Sequence, residues 1–299
     1  MNILSHGNKS EILVELKNFC TYPVFMSILL LENSEPFSTG NKWYKLKYNL
    51  ERAKSMGYTG LLSFGGAYSN HLAALATIGN FKGIKTIGVI RGEEHESRGY
   101  TLRFLKSQGM KLHFIGREMY KRRYEPEFLE DLSARFPDYF VVPEGGNNQD
   151  GVKGAAEIMN LVPVGYDIIC SPVGTGSTLA GLIRSGYPAS YYGFSALKGA
   201  QYLEGKISEY IGETVHPWKL FHQFHFGGFG KINEELIGFM REFYQNYNIK
   251  LDPVYTSKMM YGVSGICKEF PENSKILCIH TGGLQGLGGM EERLGFSIY

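Results

Sequence analysis

Cysteine is scarce in this chain: Cys20, Cys170, Cys267 and Cys278 are four residues in 299, and no two stand in a C-x-x-C arrangement. That pattern offers neither a disulfide framework nor a zinc ribbon, and it fits a reducing cytoplasm. An excess of one charge is also lacking. Thirty-one Lys and Arg against 29 Asp and Glu leave a formal net charge of +2, too little for the field that a nucleic-acid backbone binder carries. No apolar run approaches 18 residues, and Met1 to Lys17 alternate polar and apolar residues without a signal-peptide core, so membrane spans and export are not expected. Only 11 prolines are present, and no Pro- or Ser-rich linker divides the chain. What the sequence has in plenty is glycine. Its 38 glycines are nearly twice the background of about 7%, and they gather at a few places, as they do where backbone must approach a ligand.

Short β-rich runs alternate with helical patterns. Val24 to Leu31, Gly60 to Phe64, Lys85 to Ile90, Lys111 to Ile115, Tyr139 to Val142, Asp167 to Ser171, Ser190 to Phe194 and Lys275 to Ile279 read as strands. Between them, Tyr44 to Met56, Ser69 to Ile78, Tyr100 to Gln108, Glu127 to Arg135, Val152 to Met159, Ser177 to Arg184, Glu234 to Tyr247 and Ser257 to Phe270 have helical length and period. Alternation of this kind predicts βαβ units and an α/β fold with mainly parallel sheets. The strands fall into two groups. We expect a smaller α/β domain over 45–148 and a larger one from 1–44 and 149–299, with the site in the cleft between.

Three glycine clusters follow predicted strands. Gly174-Thr175-Gly176-Ser177-Thr178 opens a helix, and such a loop aims unpaired amides and the positive helix end at an anion; a tight turn that binds nothing is equally compatible. The dinucleotide fingerprint fails here. Its third glycine is Leu179, and Ser195 stands where an acidic residue would end the next strand, which disfavours a nicotinamide oxidoreductase. The second cluster is Ser63-Phe64-Gly65-Gly66-Ala67-Tyr68-Ser69-Asn70-His71, where Ser69 or Asn70 could be no more than an N-cap. The third is His280-Thr281-Gly282-Gly283. Lys42 lies in Gly40-Asn41-Lys42-Trp43, and a lysine alone is ordinarily a solvated charge. Beside an anion loop it invites a phosphorylated aldehyde, and hence pyridoxal 5'-phosphate.

Six motifs, in order, resemble the pyridoxal-phosphate family of D-cysteine desulfhydrase and 1-aminocyclopropane-1-carboxylate deaminase: Gly40-Asn41-Lys42 with Lys45-Leu46; Gly65-Gly66 with Ser69-Asn70-His71; Pro143-Glu144-Gly145-Gly146; Gly174 to Thr178; Asp252-Pro253-Val254-Tyr255; and His280-Thr281-Gly282-Gly283. The resemblance implies the tryptophan synthase β-subunit-like fold (fold type II): two open twisted, mainly parallel sheets with helices on both faces. By it, Lys42 would be the Schiff-base lysine and Asn70 the partner of the cofactor's phenolic oxygen. Gly174, Thr175, Gly176, Ser177 and Thr178 would cradle the phosphate, and Tyr255, Thr256, Thr281 and Gly282 would complete the cofactor contacts. Ser69 would relay protons, with catalytic duty shared by Lys42 and Tyr255. Ser69, Asn70, His71, Phe229 and Tyr255 would meet a small amino-acid substrate. A homodimer is also implied.

Within that family, deaminases place Glu after the Asp-Pro-Val-Tyr tyrosine and Leu before the last Gly-Gly pair; this chain has Thr256 and Thr281, as on the desulfhydrase side. The resemblance therefore implies a lyase giving pyruvate, ammonia and sulfide from D-cysteine or a related D-amino acid with a β leaving group. In that scheme Ser69 or freed Lys42 takes the α-proton and the thiolate leaves. Deamination of 1-aminocyclopropane-1-carboxylate to 2-oxobutyrate, or cofactor binding without catalysis, are the alternatives. Two departures stand out: Phe229-Gly230-Lys231-Ile232-Asn233-Glu234 has phenylalanine where the family usually has tyrosine, and Tyr22-Pro23-Val24 is compact. His216, His222 and His225 lack a completing cysteine or carboxylate at regular spacing, so no metal is expected.

Overall fold

A computed structural model describes residues 12–33, 37, 39–93 and 99–299. Most of the N-terminal stretch read for a signal peptide, residues 1–11, lies outside the described residues. In chain order the elements are β1 (Leu13–Glu15), β2 (Phe25–Leu30), α1 (Asn41–Ser55), β3 (Gly60–Gly65), α2 (Asn70–Lys82), β4 (Lys85–Arg91), α3 (Tyr100–Ser107), β5 (Lys111–Ile115), α4 (Arg117–Lys121), α5 (Pro126–Arg135), β6 (Tyr139–Val142), α6 (Gln149–Ala156), β7 (Ile168–Val173), α7 (Ser177–Arg184), β8 (Ser190–Ser195), α8 (Tyr202–Ile211), β9 (Trp218–Phe221), α9 (Glu234–Tyr247), α10 (Thr256–Gly265), β10 (Lys275–His280) and α11 (Leu287–Leu294).

Contacts divide the chain into two units. The larger is Met1–Asn41, Ala155–Leu284 and Ile298–Tyr299; the smaller is Lys42–Gly154 and Gln285–Ser297. The larger unit holds a six-stranded sheet, β1-β2-β10-β7-β8-β9, parallel except for the pairing of β1 with β2. The smaller holds β5-β4-β3-β6, parallel throughout. Central strands covered on both faces read as unbroken apolar runs, and every residue of β3 and β7 is buried.

One departure from the expected division is Gln285–Ser297, which belongs with the smaller unit. There Glu292 of α11 accepts from the Tyr100 amide at 2.6 Å and from Arg103 Nη2 and Nη1 at 3.1 and 3.2 Å. These are contacts 189 and 192 residues apart in sequence, which no local pattern announces. Strands β1 and β9 and helices α4, α8 and α11 are likewise absent from the sequence reading.

The cysteine expectation is overturned. Cys20 and Cys267 form a disulfide with Cα atoms 6.0 Å apart, while Cys170 and Cys278 are buried thiols. The sequence hides this pair because 247 residues separate its members, and adjacency arises only when the segment after β1 packs beside the turn that ends α10. Phe19 reinforces that packing, edge-on to Phe243 with ring centroids 5.9 Å apart.

Candidate functional site

Parallel strands deliver their following loops to one edge of a sheet, and open α/β sheets use that carboxyl edge for ligands. In the larger unit β2, β10 and β7 are neighbours, so Glu32, the Thr281–Gly283 loop and the Gly174–Thr178 loop emerge side by side. Asn41 ties two of them together. Its amide donates to the Thr281 carbonyl at 3.0 Å, and its side-chain nitrogen donates to Thr178 Oγ1 at 2.9 Å. Gly40 permits this approach, since a Cβ there would overlap the Thr281 carbonyl, and φ of 59° already suits glycine.

The Gly174 loop has the features of an anion cradle. Gly176 turns the chain with φ of 90°, and α7 starts at Ser177 with first-turn amides that have no acceptor inside the helix. Ser177 and Thr178 are buried, and the Thr175 and Ser177 hydroxyls lie 3.2 Å apart. The Tyr255 ring lies so close to Gly174 that a Cβ would come within 2.9 Å of its Cε1. Beyond it, Phe229 meets Tyr255 edge-on, with centroids 6.0 Å apart and planes at 64°. Phe229 is 52% exposed, so this edge remains open on one side.

Asp252 organises the start of α10. It is fully buried and accepts amides of Val254 and Tyr255 on Oδ1, at 3.0 and 2.8 Å, and of Thr256 on Oδ2 at 2.7 Å. Thr256 and Ser257 are fully buried, and neither hydroxyl has a partner. An unsatisfied buried hydroxyl costs about 1–3 kcal/mol, so a bound polar group that supplies the missing bond would recover that cost. Glu32 accepts from the amides of Gly283 and Leu284 at 2.7 and 2.9 Å, fixing the third glycine loop. Burial raises its carboxyl pKa, against the lowering effect of those amides. His280 adds a bond: its Nε2 donates to the Lys250 carbonyl at 2.9 Å, leaving Nδ1 to accept from Gly282 at 3.2 Å.

The smaller unit, taken by itself, holds buried bases and a helix cap. Ser69 is the N-cap of α2, its Oγ accepting from the Leu72 amide at 3.2 Å, so the structural reading of this serine holds whatever else it does. Asn70 opens the helix, and Gly286 approaches it so closely that a Cβ would meet its Oδ1 at 2.6 Å. His71 points into the core. Ser63 gives its proton to the Val142 carbonyl at 2.7 Å, so His71 Nε2 donates to Ser63 Oγ at 2.8 Å and its buried Nδ1 is left without a partner. Burial first, then the charges of Lys45 and Lys42, hold the imidazole well below its ordinary pKa.

Lys42 is half-buried near the start of α1. One turn on, Lys45 is buried, and desolvation with the neighbouring Lys42 charge pushes its pKa far down. Sequence reasoning gave Lys45 no role, although the i, i+3 spacing that sets both amines on one helix face was visible. Glu32 and Asp252 went unassigned too; a lone carboxylate carries no signal until its amide partners are placed. Of the histidines, His222 Nε2 lies 3.1 Å from Glu204, His225 Nδ1 accepts from the Gly227 amide at 2.9 Å, and His216 is edge-on to Tyr191. Among the described residues no helix is long and apolar enough to cross a membrane.

Comparison with known proteins agrees with this geometry. The profile described as "Pyridoxal-phosphate dependent enzyme" matches residues 27–282. A protein of Pyrococcus horikoshii provisionally named 1-aminocyclopropane-1-carboxylate deaminase is 30% identical over 262 residues, 83% of this chain and 81% of its own. The bifunctional D-cysteine desulfhydrase/1-aminocyclopropane-1-carboxylate deaminase, mitochondrial, of Arabidopsis thaliana is 27% identical, over 83% of this chain and 70% of its own. Among solved structures, an ACC deaminase homologue superimposes with a TM-score of 0.78 at 26% identity, covering 94% of this chain and 92% of its own.

Proposed function

From the premise that the chain belongs to the pyridoxal-phosphate dependent enzyme family, we propose that it is a lyase that eliminates the β leaving group of D-cysteine, or a related D-amino acid, giving pyruvate, ammonia and sulfide. The enzyme depends on pyridoxal 5'-phosphate and has the α/β architecture of fold type II. When bound, that cofactor supplies an electron sink for negative charge at the substrate α-carbon. Lys42 would be the amine that carries it, and Asn70 would meet its phenolic oxygen. Ser177 and Thr178, with the amides of Gly174, Thr175 and Gly176, would hold its phosphate. Thr281 and Gly282 would line its edge, where Glu32 and Asn41 fix their backbone. Ser69, whose Oγ lone pair already serves the Leu72 amide, keeps a hydroxyl proton to exchange. Together with Lys42 it would move the α-proton. Tyr255 and Phe229 would flank the substrate side chain, and His71 would reach it only through Nδ1.

The observation that carries the choice of reaction is the Thr256 hydroxyl, fully buried and unpartnered at the start of α10. By the resemblance, Thr256 would face the cofactor's ring nitrogen. A neutral hydroxyl can bond that nitrogen but cannot hold it protonated by charge. A departing thiolate needs less of the electron sink than the opening of a carbon–carbon bond, so threonine suits elimination.

The second reading, 1-aminocyclopropane-1-carboxylate deamination, is favoured by the name of the Pyrococcus relative, while the name of the Arabidopsis relative carries both activities. Cofactor-loaded protein offered D-cysteine, L-cysteine and 1-aminocyclopropane-1-carboxylate in parallel separates the two. Sulfide with pyruvate from D-cysteine is expected; 2-oxobutyrate as the main product would install the deaminase instead, and no product from any of them would favour another substrate or a cofactor binder without catalysis. A homodimer belongs to the same proposal, and light scattering at working concentration tests it; the reducing cytoplasm inferred from the cysteine pattern loses that ground with the Cys20–Cys267 disulfide.

A further inference from the structure

Lys258 is the one lysine of α10, it is 1% exposed, and nothing in the proposed chemistry uses it. Its ammonium donates to two backbone carbonyls, His225 at 2.8 Å and Gly228 at 2.7 Å. Burying a charge is expensive, and carbonyls offset that cost less well than a carboxylate, so the arrangement persists only with those two bonds intact. Burial pushes the amine down to about 8, against the opposing pull of Asp252.

The segment that Lys258 grips is an improbable loop. Phe226, Gly227, Gly228 and Gly230 have φ of 50°, 89°, 114° and 63°, so four of five consecutive residues lie in the left-handed half of backbone space. Phe226 bears the steric penalty that glycine avoids. Two internal bonds, Gly228 amide to His225 carbonyl at 3.0 Å and Lys231 amide to Gly228 carbonyl at 3.1 Å, use the same two carbonyls that Lys258 takes. A second anchor comes from the same helix: Tyr261, three residues beyond Lys258, receives the Phe226 ring edge-on at 4.8 Å. The residue that follows these anchors directly is Phe229, which reaches the Tyr255 ring just ahead of α10. A single helix therefore carries Tyr255 at its N-cap and, one turn on, the grip on the loop that brings Phe229 to it.

We infer that Lys258 is a positioning residue for substrate selection: by tying the 225–228 turn to α10 it fixes Phe229 against Tyr255 and sets an apolar wall that admits a small uncharged β substituent. This rests on the lyase reading for its substrate, while the clamp itself stands on geometry within the larger unit. Such a wall binds ground state and transition state alike, so its loss appears in KM and not in kcat.

The test uses cofactor-loaded wild type, Lys258→Met, Lys258→Arg, Phe229→Ala and the Lys258→Met/Phe229→Ala pair. Hydrogen–deuterium exchange over residues 223–232 is expected to rise about tenfold or more in Lys258→Met, since a local clamp sets local opening. Lys258→Arg, which keeps charge and donors, is expected to restore most of the protection. With D-cysteine, Lys258→Met raises KM about tenfold with kcat within about twofold, and adds less than about twofold once Phe229 is alanine. Unchanged exchange in Lys258→Met, or a Lys258→Met penalty that persists in full beside Phe229→Ala, overturns the inference. Should Lys258→Met not fold, Lys258→Arg decides: wild-type protection and KM support the clamp, whereas wild-type protection with a tenfold loss in kcat overturns it. If wild type turns over none of the three amino acids, the functional reading falls while the exchange comparison still decides the clamp.

Discussion

The two units spend their buried polar groups in opposite ways. In the smaller, the buried groups are bases kept from charging: Lys45 and His71 are both pushed far below their ordinary pKa by burial and by neighbouring positive charge. In the larger, carboxylates hold backbone, Asp252 taking three amides and Glu32 two, the Lys258 ammonium holds two carbonyls, and the Thr256 and Ser257 hydroxyls stand unpartnered. The contrast teaches a division of labour. On the proposed reading, a region that moves protons would need desolvated, adjustable basicity, whereas a phosphate cradle would need fixed donors.

The largest effect that could break this comparison is at Lys42. Lys42→Ala is expected to abolish the visible absorbance of the bound cofactor and lower turnover by roughly three orders of magnitude or more. Absorbance that survives dialysis in Lys42→Ala but disappears in Lys45→Met would move the carrier role one turn along α1. The larger unit is tested through its disulfide. Reduction, or Cys267→Ser, should destabilise the chain by about 2–4 kcal/mol, given the 247-residue separation that the bond closes. Denaturant titration with and without dithiothreitol measures it, and coincident midpoints would refute it.

Gly174→Val is the next step down. Its side chain would collide with Tyr255, and overpacking of about 1–3 kcal/mol should weaken cofactor binding about tenfold to a hundredfold, read by fluorescence titration. The smallest effect is the pH response of His71. Its folded pKa lies below the ordinary 6.5, so between those values the unfolded chain takes up a proton that the native chain refuses. Stability is therefore full above pH 6.5 and falls below it by about 1.4 kcal/mol per pH unit until the folded pKa is reached. His71→Asn should flatten that slope in urea titrations between pH 5 and 7; an identical slope in the variant would assign the effect elsewhere.

Much of this was legible because the signals are local. The runs Lys111–Ile115 and Tyr139–Val142 are strands to the residue, and Ser177–Arg184 and Glu234–Tyr247 are helices to the residue, since alternation, helical period and an asparagine cap at Asn233 all act within a few positions. The Gly174 loop was visible for the same reason: a glycine pair between strand and helix is a short-range device. Strand β9, Trp218–Phe221, was not read from the sequence. The Cys20–Cys267 bond, the Glu292 contacts of α11 and the Glu32 bonds to Gly283 and Leu284 left no local mark.

By itself the sequence determined the periods, the turns and the residue types that chemistry demands, together with motif order. Tertiary structure alone decided which carbonyls Lys258 would grip, that Lys45 would lose its water, and that the Thr256 hydroxyl would be buried without a partner. Periodicity and turn chemistry arise from neighbours along the chain, whereas desolvation and hydrogen-bond pairing arise from neighbours in space, and those are fixed only when distant segments share one core.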